Sequence, residues 1–81
     1  MEADPKTVFG PVLRRLRRER DLSQEALAGR AGLARNHVSA LERARRDPSL
    51  ATLVQLADAL GMSMEELGRH IDAERVRAHA A

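Results

Sequence analysis

Apolar side chains recur every three or four residues along this chain, and glycine and proline cut the recurrence into short pieces. Phe9, Val12, Leu13 and Leu16 set the first period, with arginines on the opposite side. This predicts a helix from about Val8 to Arg20. Thr7 is its candidate cap, with a start nearer Gly10 as the alternative. Pro11 then belongs in the first turns, because deeper in a helix it would lose a hydrogen bond and clash with the preceding turn. Ser23 reads as the N-cap of a second helix, Gln24 to about Ala31, and Gly32 ends it in a left-handed conformation. A third helix spans about Arg35 to Arg43, followed by a basic loop from Ala44 to Pro48. Ser49 caps a fourth, Leu50 to Leu60, which Gly61 closes. Ser63-Met64-Glu65-Glu66 has the form of a capping box opening a fifth. Beyond Leu67 the period fades, so residues 68–81 extend that helix, form a short sixth or fray. No strand pattern, repeat or low-complexity tract interrupts the series. The expected fold is all-α, a compact five-helix bundle. Residues 1–6 form an arm, 7–70 the domain and 71–81 a helical or disordered tail.

The stretch from Gln24 to Glu42 places two helices across a short turn. Ala28 is small where the next helix must cross closely, and Gly32 sits where the turn needs a positive φ. Leu27, Ala31 and Leu33 point inward, and Val38 and Leu41 share one face of the third helix. Arg35, Asn36, Ser39 and Ala40 are left facing away from the core. Arg and Asn exposed at a helix start suit the hydrogen-bonding edges of DNA bases. A tight helical pair with a purely structural role would show similar offsets.

Composition narrows the classes. Eighty-one residues allow one domain with a marginal core, to which a second copy could add stability. There is one aromatic residue, Phe9, and no cysteine, which removes disulfides and thiolate metal sites. His37, His70 and His79 lack metal-ligand spacing, so no metal or other cofactor is expected. No nucleophile–base pair, glycine-rich phosphate loop or paired acidic signature points to an enzyme. No apolar run approaches a membrane span, and Met1 to Gly10 does not read as a signal peptide. A soluble, cytoplasmic protein is expected. The net charge of +2 hides an asymmetry: residues 1–48 hold 11 Lys/Arg against 7 Asp/Glu, and residues 49–81 hold 3 against 5. The basic half suits an anionic partner, although arginine-rich faces are also commonly just solvated.

From Phe9 to Leu67 the chain resembles the Cro/repressor-type helix-turn-helix regulators, whose fold is the lambda-repressor-like DNA-binding domain. The resemblance rests on Phe9-Gly10, Leu22-Ser23-Gln24-Glu25, Ala31-Gly32-Leu33, Leu41-Glu42-Arg43, Pro48-Ser49-Leu50 and Ala59-Leu60-Gly61, among others. The short format is also similar to the controller proteins of restriction–modification systems. The resemblance implies base contacts from Arg35, Asn36, Ser39 and Ala40. It implies phosphate contacts from Gln24, His37, Arg43, Arg46 and Ser49. Arg17 and Glu42 match an internal salt bridge between the first and third helices. Two positions depart from the pattern. Ala34 replaces the usual Ser or Thr before the third helix, and Ala44 replaces a frequent loop Gly.

The resemblance further implies double-stranded DNA as partner, bound as a homodimer on a pseudo-palindromic operator. Such a protein regulates transcription by occluding RNA polymerase or by contacting it. The other function class weighed is a protein-interaction module, such as an antitoxin-like partner with secondary DNA binding. Met64, Leu67 and Ile71 are the candidate dimer surface; the competing reading is that they complete the monomer core. The arginines at 14, 15, 17, 18 and 20 either form a second DNA-contact patch or are for the most part solvated or paired with Glu19 and Asp21.

Overall fold

The computed structural model describes residues 4–80, so Met1 to Ala3 of the expected arm and Ala81 of the expected tail lie outside the described residues. Among the described residues five helices follow in order: α1 Pro5–Glu19, α2 Gln24–Ala31, α3 Arg35–Glu42, α4 Leu50–Ala59 and α5 Met64–Ala80. No strand occurs among the described residues. The fold is all-α, as the period predicts.

Each boundary has a local cause. Ser23 accepts from the Ala26 amide and Ser49 from the Thr52 amide, relieving an unpaired donor at each helix start. Ser63 and Glu66 exchange bonds as a capping box: Glu66 N donates to Ser63 Oγ, and Ser63 N donates to Glu66 Oε1. Gly32 and Gly61 hold φ of 71° and 72° after α2 and α4.

The beginning of α1 corrects the sequence reading. Asp4, not Thr7, is the N-cap, accepting from the Lys6 amide at 2.9 Å, and Pro5 opens the helix. Pro at a first helical position loses no bond, so Asp4-Pro5 is a stronger start signal than the apolar period, which begins only at Val8. Pro11 consequently lies inside the helix rather than in its first turn. Thr7 and Pro11 are both exposed, so water can reach the carbonyl that lacks its amide partner. At the other end, α5 continues without a break to Ala80.

One core joins all five helices. Phe9, Val12, Leu13 and Leu16 of α1 meet Leu27, Ala28 and Ala31 of α2, Val38 and Leu41 of α3, Leu56 and Ala57 of α4, and Leu67 of α5. α2 packs on α3 and α4, while α1 packs on α3 and α5. The contact of α1 with α3 depends on Gly10. A Cβ there would lie 2.6 Å from the Glu42 carbonyl oxygen and 2.9 Å from that of Leu41. Backbone oxygens cannot move aside cheaply, so only glycine lets α1 approach the end of α3 this closely. No helix among the described residues is long and apolar enough to cross a membrane.

Candidate nucleic-acid interface

α2 ends at Gly32, and α3 begins three residues later at Arg35. The turn is closed by the Leu33 amide bonding the Ala28 carbonyl at 2.9 Å. Val38, Leu41 and Glu42 bury the inner side of α3. Arg35 and Asn36 are exposed on its first turn; Ser39 and Ala40, one turn later, are half-buried. His37 is half-buried as well. Arg43 follows the helix as its C-cap, and Arg46 lies exposed in the loop before α4. The side chains of Arg35, Asn36, Arg43 and Arg46 have no intramolecular partner among the described residues. Their donors are available to an outside acceptor.

The first turn of α3 is uncapped: Ala34 has the extended backbone of an N-cap, φ −75° and ψ 146°, but offers no acceptor. The first amides of α3 therefore also lack a side-chain partner.

A buried carboxylate organises the neighbouring edge. Arg17 Nε donates to Glu42 Oε2 at 2.6 Å and Nη2 to Oε1 at 3.0 Å, while Nη1 reaches the Leu22 carbonyl at 2.8 Å. This bidentate pair joins α1 to the end of α3, and its third donor fixes the α1–α2 loop. Gln24 Nε2 also donates to Glu42 Oε1, at 3.1 Å, and Arg14 Nε lies 3.5 Å from the same oxygen. Burial alone would raise the Glu42 carboxyl above its usual range. Hydrogen bonds from Arg17 and Gln24, with the charges of Arg17 and Arg14, outweigh burial and leave it lowered. The hydrogen bond to Glu42 in turn raises Arg17.

Sequence reasoning had no signal for the contacts of Gln24 and Arg14 with Glu42, which cross three helices. Nor did it foresee that Arg20 bonds the Leu60 and Leu16 carbonyls through Nε and Nη1. Arg15 does pair with Glu19, at 3.3 Å, and its other terminal nitrogen lies 3.3 Å from His70 Nδ1. Ser49, expected at a phosphate, spends its hydroxyl within the fold: Oγ accepts from the Thr52 amide and donates to Thr52 Oγ1 at 2.9 Å.

The expected dimer surface requires a correction. Leu67 is completely buried inside this chain's own core and presents nothing to a partner. It sits on the face of α5 that turns toward α1 and α4, and periodicity cannot say which apolar face of a helix a second chain would cover. Ile71 is partly buried against the same core. Met64 is exposed, and so are Leu50, Val54 and Val76, which the apolar period alone does not single out. No group of histidine, aspartate and glutamate able to hold a metal occurs among the described residues.

Comparison with known proteins identifies the arrangement. The Helix-turn-helix family profile matches residues 13–67, more than half of the chain. The uncharacterized HTH-type transcriptional regulator y4dJ of Sinorhizobium fredii is 45% identical over 64 residues, 79% of this chain and 83% of that protein. The control protein C.MunI of a Mycoplasma species is 39% identical over 72 residues, covering 88% and 97%. Among solved structures, the restriction–modification controller C.AhdI of Aeromonas hydrophila is 44% identical with a TM-score of 0.74, over 76% of this chain and 94% of that one.

Proposed function

Because the chain belongs to the helix-turn-helix family of DNA-binding transcription regulators, we propose that it binds a pseudo-palindromic operator as a homodimer through the major groove. The observation that carries this reading is the outer face of α3. Arg35 and Asn36 are exposed there without intramolecular partners, next to an uncapped helix start. Arg35 would take the O6 and N7 acceptors of a guanine, and Asn36 the N6 and N7 of an adenine. Ser39 and Ala40 would lie against the next bases, with the Ala40 methyl suited to a thymine methyl. Gln24, His37, Arg43 and Arg46 would hold phosphates on either side. Ser49 contributes through its backbone, since its hydroxyl is engaged with Thr52.

The dimer supplies what one small head lacks in affinity and specificity. Met64 with Leu50 and Val54, exposed large apolar side chains of α5 and α4, are the surface a second copy would cover. The likeness to C.MunI and C.AhdI supports a controller-type role.

Binding-site selection from random duplexes tests the reading. Wild type should yield a symmetric motif with half-sites about one helical turn, roughly 34 Å, apart. Arg35→Ala should lose about 1–3 kcal/mol of specific binding per half-site and relax one base position in each half. An identical motif from both proteins would remove Arg35 from the readout. In sedimentation, wild type should be dimeric at micromolar concentration and Val54→Glu monomeric; a wild-type monomer without and with DNA would overturn the dimer.

A further inference from the structure

α1 carries positive charge that the recognition helix does not explain. Arg14, Arg15 and Arg18 line one shallow groove together with Pro11, Glu19 and Glu42. Both carboxylates there are committed: Glu42 holds the bidentate Arg17, and Glu19 pairs with Arg15. Arg14 approaches Glu42 only through Nε, which leaves both terminal nitrogens without an intramolecular acceptor among the described residues. Arg18 is exposed, and its side chain has no partner among the described residues. Residues 14 and 18 are one turn apart on the same helix face, where like charges repel. Two neighbouring guanidinium groups, of which Arg14 has only a share in a carboxylate already held by Arg17 and Arg18 has none, fit a phosphate, whose oxygens accept the planar fork of Arg.

The position of Arg14 indicates which phosphate. Arg14 Nε and Gln24 Nε2 share one oxygen, Glu42 Oε1, at 3.5 and 3.1 Å. The two nitrogens are thus no further apart than the sum of those distances. Arg14 is held beside the residue that opens α2.

We propose that Arg14 and Arg18 form a clamp on the DNA backbone, on the strand that passes the start of α2, with Glu42 as the positioning residue that presents Arg14 and Gln24 side by side. The inference rests on the DNA-binding reading and extends the contact surface from the helix-turn-helix to α1. The clamp is indifferent to sequence, because phosphates carry none.

The clean variant is Arg18→Ala, which removes an exposed, unpaired side chain. Its affinity for the selected duplex is measured between 50 and 200 mM salt beside wild type, Arg46→Ala and Arg69→Ala. Each lost phosphate contact lowers the slope of log K against log salt by about 0.9, and Arg18→Ala removes one from each half of the homodimer, so the slope falls by about 1.8, roughly a twelvefold smaller change over that range. Arg18→Ala should show this loss with an unchanged selected motif, and Arg14→Gln/Arg18→Ala about twice the loss. Arg69→Ala removes the same charge from α5, where Arg69 pairs with Glu65, and should keep the wild-type slope. A wild-type slope in Arg18→Ala, or an equal loss in Arg69→Ala, overturns the clamp. If Arg46→Ala flattens the slope while Arg18→Ala does not, the DNA-binding reading stands and only the clamp falls. If wild type binds no duplex in a salt-dependent way, both fall.

Discussion

Ala44 holds a left-handed backbone, φ 58°, in the turn that leaves α3. For a residue with a Cβ this conformation costs about 1–2 kcal/mol. Its amide still bonds the Leu41 carbonyl at 3.2 Å, and the Arg45 amide bonds that of Ala40 at 2.9 Å. The turn is therefore imposed by the end of α3 against the residue's own preference. Ala44→Gly should remove the strain while giving back part of the gain, about 0.5–1 kcal/mol, as lost chain entropy. The expected net is a stabilisation of roughly 0.5–1 kcal/mol, read as a higher urea midpoint at unchanged m. A lower midpoint would show that Ala44 is relaxed in solution. Asp21 has a similar φ, 54°, but Asp tolerates this region better than Ala. Sequence marked Ala44 as unusual through the family pattern. Gly10 was equally visible as a letter, yet the carbonyls of α3 that exclude a Cβ there are distant in sequence.

Among the elements, α3 is the exception. α1, α2, α4 and α5 each begin with a side-chain cap from Asp4, Ser23, Ser49 and Ser63. α3, at 8 residues one of the two shortest helices, has none. It persists because Val38 and Leu41 are wholly buried and Arg17 fixes its final residue; tertiary packing outweighs what an isolated eight-residue helix could sustain. Ala34→Ser should add about 0.5–2 kcal/mol of stability, since Ala34 already has the backbone of a cap. Hydrogen exchange at the first amides of α3 should slow in step. Unchanged exchange would mean that these amides are already satisfied. The sequence showed this gap, because capping is decided within four residues. The missed start of α1 was local too: Asp4-Pro5 carried the signal, and reliance on the apolar period hid it.

The whole molecule turns on the Arg17–Glu42 pair. Glu42 accepts from α1 and α2 while sitting at the end of α3, so one carboxylate fixes the relative positions of three helices. Loss of one partner of a buried pair costs about 3–5 kcal/mol. A chain of this length has roughly 4–12 kcal/mol of stability in total, so Glu42→Ala should remove a third or more of it, read as a much lower urea midpoint. The pH dependence follows from the lowered carboxyl. A depressed folded value gives stability that is complete above the ordinary carboxylate value of about 4.5 and is lost as pH falls through the folded value. The difference in urea midpoint between wild type and Glu42→Gln should therefore be constant near neutrality and shrink below about pH 4.5. A difference that stays constant into acid would mean that the charge of Glu42 contributes nothing.

Five helices, the turn at Gly32 and the missing cap at Ala34 were legible in the chain alone, because caps, glycine turns and apolar period are all settled within a few residues. Helix packing was needed to learn that Leu67 is core rather than surface, that Gln24 and Arg14 converge on Glu42, and that Arg20 reaches the end of α4. Those facts depend on which helix faces meet. The chain brings together positions up to 55 residues apart, as from Arg15 to His70, and a periodic pattern records that a helix has an apolar face without recording what covers it.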